Sequence, residues 1–128
     1  MKVVTRCNGV WGNQAINSKP LISRCDDVLS THTGGQVYFE DLTKTKATLV
    51  SAPGDAKGRK HPRLAITPNG DMLMVWTEGT GWQRGGSLAW HLFDRDGKLI
   101  GDTHIQPGVP VWSFAAVAAN PNGFVVLY

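Results

Sequence analysis

The sequence predicts an all-β chain built from repeated, four-stranded antiparallel sheets, and three observations predict it. Segments recur with a period near 50: Gly34-Gly35-Gln36-Val37-Tyr38-Phe39 returns as Gly85-Gly86-Ser87-Leu88-Ala89-Trp90 after 51 residues, and Ala65-Ile66-Thr67-Pro68-Asn69-Gly70 returns as Ala118-Ala119-Asn120-Pro121-Asn122-Gly123 after 53. No segment carries a helical apolar period of useful length. The run Met72 to Thr77 is apolar at successive rather than alternate positions, which means that both of its faces are covered, as when one sheet lies between two others. Several short strands per period of about 50 residues is the pattern of propeller blades.

Met1 to Cys7 opens with Lys2-Val3-Val4-Thr5, a β-branched run suited to a strand, and Asn8-Gly9 supplies turn chemistry after it. Val10 to Asn17 and Pro20 to Asp26 read as a degenerate copy of the first two strands of the later, complete unit. Asp27 to Gly35 is polar and glycine-bearing and reads as a loop; Gln36 to Leu42 and Thr45 to Val50 read as a strand pair. Ser51 to Lys60, with Pro53, two glycines and four charges, reads as a linker between units.

The complete unit follows. Arg63 to Thr67 is its first strand, Pro68-Asn69-Gly70-Asp71 a tight turn whose Asn and Gly tolerate positive φ, and Met72 to Thr77 its second strand. Glu78 to Gly86 is a long loop, Ser87 to Phe93 the third strand, Asp94-Arg95-Asp96-Gly97 a turn, and Lys98 to Ile105 the outer strand. Gln106 to Val111 holds two prolines and reads as a connector. Trp112 to Ala119, rich in alanine, and Phe124 to Tyr128 give the first two strands of a last unit. The blade-like repeats thus span residues 8–50, 61–105 and 112–128 of a single partial propeller unit, about two and a half blades. The strands predict a core of Leu64, Ile66, Leu73, Val75, Trp76, Leu88, Trp90 and Val125.

Composition narrows the function classes. With 41% hydrophobic and 18% charged residues over 128 positions, the chain can bury a core and is not disordered by composition. The net charge of +3 is scattered except for Lys57, Arg59, Lys60 and Arg63, which is no coherent stripe for a phosphate backbone, so no nucleic-acid partner is expected. No run approaches the roughly 18 apolar residues of a membrane helix, and residues 1–20 hold no apolar core of signal-peptide length, so no membrane partner is expected and no compartment is assigned. Cys7 and Cys25 are too far apart in sequence for a CxxC motif; they are either buried small side chains or one cross-strand disulfide.

The succession Leu64-Ala65-Ile66, Pro68-Asn69-Gly70, Val75-Trp76, Gly85-Gly86, Phe93-Asp94-Arg95-Asp96-Gly97 and Gly101 resembles the C-terminal blades of bacterial sialidase-like β-propeller proteins, the Asp-box type, of uncertain function. The Asp94–Gly97 turn is similar to the Asp-box SxDxGxTW but lacks its Ser, Thr and Trp. The resemblance covers roughly residues 33–128, and most proteins of that family are exported. Propellers have about four to eight blades. The resemblance therefore implies completion by self-association, with two chains giving about five blades; a trimer needs a different overlap.

In that geometry Ser51 to Arg63, Thr77 to Gly86 and Gln106 to Trp112 share one face, and His61, Arg63, Glu78, Trp82, Arg84 and Trp112 surround a common mouth. Trp with Arg and Glu suits stacking on a sugar ring and pairing with a carboxylate, so a glycan or other small polar ligand is expected there. The competing reading packs Trp82 against a neighbouring blade and pairs Arg84 with Glu78 on the surface. The spacings of His32, His61, His91 and His104 fit no standard zinc pattern, no cofactor motif is present, and Asp71, Asp94 and Asp96 are explained by Asx turns as well as by Ca²⁺. A sialidase-like hydrolase needs a Tyr nucleophile with a supporting Glu, an acid and an arginine cluster. Tyr38 lies mid-strand and Tyr128 is terminal. The enzyme reading therefore stands as the alternative, with a site completed between subunits, and binding without catalysis as the expectation.

Overall fold

A computed structural model describes residues 3–8, 36–41, 49–54, 58–81, 83–111 and 113–128. These form nine strands: β1 (Val3–Asn8), β2 (Gln36–Asp41), β3 (Leu49–Ser51), β4 (Arg59–Ile66), β5 (Met72–Glu78), β6 (Gly86–Phe93), β7 (Leu99–Val109), β8 (Ala116–Asn120) and β9 (Gly123–Leu127). They make three antiparallel sheets in chain order, β1-β2-β3, β4-β5-β6-β7 and β8-β9. The described residues include no helix, and so none long and apolar enough to cross a membrane.

The alternation of side chains along β5 explains how the sheets stack. Met72, Met74 and Trp76 point one way and join Val37, Phe39 and Ala52 of the first sheet region, together with Ala89 and Phe93 of β6. Leu73 and Val75 point the other way and join Leu88, Val109 and Ala115, with Val117, Phe124 and Val126 of the third sheet packed alongside. The middle sheet thus lies between the other two, which is what its uninterrupted apolar run requires. Leu73, Val75, Trp76 and Leu88 are buried as expected, and Leu64, Ile66 and Trp90 are half-buried against these clusters. Val125 is a correction: it pairs with Ala118 on the outward face of the third sheet and is 46% exposed.

Two of the hairpins share one construction. In each, a glycine amide bonds back to the first turn residue, Gly70 to Thr67 and Gly97 to Asp94, and the flanking pair closes the ladder, Thr67 to Asp71 and Asp94 to Lys98. Gly70 and Gly97 take φ of 95° and 82°, a region that costs an L-residue about 1–2 kcal/mol. The Asp94 carboxylate accepts from the amides of Asp96 and Lys98, and these bonds hold its pKa below the ordinary aspartate value. The Asn120–Gly123 turn between β8 and β9 is one residue tighter, pairing Asn120 with Gly123 directly, and β9 presents Phe124 and Val126 to the second core cluster.

Further boundaries differ from expectation for physical reasons. The N-terminal strand pairs with β2 over its whole length. β4 begins at Arg59, inside the expected linker, and passes a bulge between Lys60 and Arg63. β7 runs on through Pro107 to Val109, well into the expected connector. Its place at the sheet edge makes this possible, since proline's missing N–H costs no ladder bond there. β8 starts only at Ala116, so the expected strand beginning at Trp112 is shorter. Ala115 is buried, but Ala116 and Ala118 are exposed. The expected copy over Val10 to Asn17 and Pro20 to Asp26, and Cys25, lie outside the described residues.

Candidate functional site

The start of β4 and the loop after β5 are bonded to each other, and the end of β7 lies beside that loop. The Gly79 amide bonds the Gly58 carbonyl at 3.4 Å, and the Lys60 ammonium donates to the Thr80 carbonyl, which ties the start of β4 to the loop after β5. Glycine is required where that loop turns into β6. A Cβ on Gly86 would stand 2.2 Å from the Glu78 carbonyl oxygen, and one on Gly85 would stand 2.3 Å from the Val109 carbonyl oxygen. The Gly-Gly of the repeat is thus a steric device that lets the end of β7 approach this loop.

At this end of the middle sheet, Glu78 is committed to structure. Its Oε1 accepts from Arg59 Nε at 3.0 Å and from Trp76 Nε1 at 2.8 Å, while the Arg59 guanidinium lies over the Trp76 ring at 5.2 Å. Arg59 also donates to the carbonyls of Ala52, Pro53 and Gly54, so this buried cation is bonded on several sides and fastens the first sheet's end to the second. Arg84 does not pair with Glu78; its Nε donates to the Gly79 carbonyl at 2.9 Å from an exposed position. The tight Gly81–Arg84 turn, with Gln83 at φ 51°, holds it there.

His61 sits in the β4 bulge with φ 53°, an uncommon conformation for a residue with a Cβ. Its Nδ1 lies 2.9 Å from Thr77 Oγ1, and its ring is 6.0 Å from that of Phe114. The Arg63 guanidinium covers the same Phe114 ring at 5.4 Å, a cation–π distance. Phe114 is half exposed and is the aromatic that sequence reasoning missed, because the expected strand from Trp112 to Ala119 absorbed it; β8 begins only at Ala116. Trp82 and Trp112 lie outside the described residues.

The electrostatics follow from this placement. Arg59, Lys60, Arg63 and Arg84 collect at one end of the middle sheet, and Glu78, the one nearby carboxylate among the described residues, is bonded to Arg59. Burial, and then the positive charge of Arg84, pull the Lys60 ammonium down from 10.5 to about 8. Such a mouth favours anions over cations. No group of three or more His, Cys, Asp or Glu among the described residues could hold a metal ion.

No protein-family model, curated protein or solved structure matches the chain. Its chemistry therefore rests on the geometry above.

Proposed function

We propose that this chain is a self-associating, propeller-type binding module, of the sialidase-like kind that its repeats resemble, whose basic mouth takes a carbohydrate or other small polar ligand. The observation that carries the ligand reading is the convergence of Arg63 and Phe114 beside the strained His61, with Arg84 exposed across the mouth. An aromatic face and guanidinium groups suit a sugar ring bearing a carboxylate, because Arg binds carboxylates through paired hydrogen bonds. Self-association is supported by the third sheet. It has two strands, and Ala116, Ala118, Val125 and Leu127 make most of its outward face apolar, with Asn120 at the turn end.

A panel of neutral and carboxylated sugars, screened by ligand-induced melting shift, tests the binding. A shift confined to carboxylated sugars, and abolished by both Arg63→Ala and Arg84→Ala, is the expected result. A flat response across the panel removes the binding reading. Turnover of fluorogenic sialosides that depends on these arginines would replace it with the hydrolase alternative.

A further inference from the structure

At the opposite end of β4 and β5 from the mouth, the two Pro-Asn turns of the repeat stand side by side and enclose a cleft of about 590 Å³, within the usual range for small-molecule sites. Its walls are Asn69 and Asp71 on one turn and Asn122 on the other, and its floor is Leu92 and Phe124. The frame is held independently of any ligand. Thr67 Oγ1 accepts from the Asp71 amide at 3.1 Å, Arg95 Nη2 grips the Asn69 carbonyl at 3.0 Å, and the Asn122 amide bonds Asn120 Oδ1 at 2.8 Å. These bonds use the backbone of Asn69, Asp71 and Asn122. Among the described residues none donates to the Asp71 carboxylate, and the two side-chain amides are likewise unengaged, so these three polar ends remain for a ligand. Leu92 and Phe124 pack from below on the second core cluster, which fixes an apolar floor under them.

We infer that this cleft is a second binding site, distinct from the basic mouth, for a neutral pyranose sugar. A pyranose has one apolar C–H face and a rim of adjacent hydroxyls. The face suits Leu92 and Phe124, and the rim suits a carboxylate that only accepts and two amides that both donate and accept. The neutral class follows from charge. Asp71 is the one ionisable group among the described residues lining the cleft, and it repels a sugar carboxylate.

Saturation-transfer NMR on the whole chain with glucose, galactose, mannose and N-acetylglucosamine, each at millimolar concentration, tests this. At least one is expected to receive saturation. Asp71→Asn and Asn122→Ala should each weaken that binding about tenfold, the effect of losing one good hydrogen bond, with the melting temperature unchanged. Arg63→Ala and Arg84→Ala should leave it intact, which separates this site from the mouth. If Asp71→Asn disturbs folding, Asn122→Ala alone carries the decision, since its side chain bonds nothing in the frame. Absence of saturation transfer to all four sugars overturns the inference. So does binding that survives both cleft substitutions, or that responds only to the arginine variants.

Discussion

Trp76 shows how one residue joins packing to electrostatics. Its ring is fully buried in the first core cluster, its Nε1 is bonded to Glu78, and Arg59 lies on its face. Truncation removes all three contacts, so Trp76→Ala should cost about 3–5 kcal/mol in urea unfolding; a loss near 1 kcal/mol would contradict this packing. Lys60 gives a pH signature. The unfolded chain holds this proton up to about pH 10.5, the folded chain only up to about 8, so stability should rise with pH across that window and stay flat below it. Lys60→Met should abolish the slope. His91 acts at the other end of the scale: its Nδ1 meets Thr103 Oγ1 at 2.9 Å, its Nε2 is buried with no hydrogen-bond partner among the described residues, and burial lowers its pKa, with Asp102 opposing and His104 reinforcing the shift. Stability should therefore fall as pH drops below about 6.5, and a His91→Gln variant should lose that dependence. These individual roles were only partly legible in the sequence. A buried tryptophan in an apolar run announces itself. A histidine forced to positive φ by a bulge carries no propensity signal, and Glu78 looked available to a ligand because nothing in the spacing reveals that Arg59 and Trp76 both reach it.

At the level of elements, β5, β6 and the turns at Thr67–Asp71 and Asp94–Lys98 were legible because short-range chemistry decides them: Asn-Gly and Asp-Gly have few alternatives to a tight turn. β7 outruns its expected end at Ile105, since proline argues against a strand until the strand is known to be an edge. The glycines separate two kinds of constraint. At Gly101 φ is 68° with nothing within 4 Å of a Cβ, so Gly101→Ala should cost about 1 kcal/mol, for conformation alone. At Gly86 a Cβ meets the Glu78 carbonyl and Thr80, so Gly86→Ala should cost about 2–4 kcal/mol and loosen the mouth. Equal melting temperatures for the two variants would contradict this ordering.

For the whole molecule, the three-sheet stack was readable from β5 alone, but nothing in the residues of β9 distinguishes its apolar run, covered on one side only, from that of β5. If a second copy covers the outward face, light scattering should report twice the 13.9 kDa of one chain, and a Val125→Lys, Leu127→Lys double variant should return it to a monomer with its middle sheet intact. A wild-type species of 13.9 kDa at micromolar concentration contradicts the self-association proposal.

The short connections within β4-β5-β6-β7 bear also on the order in which the chain acquires structure. Each of these strands reaches its immediate successor through a short connection, whereas β1 is separated from β2 by residues 9–35. Closing short loops loses less chain entropy than closing long ones, so the middle meander is positioned to form first and to serve as the template on which the outer sheets condense. Its central amides, those of Met74 to Trp76, should then exchange with deuterated solvent last, and those of β1 first.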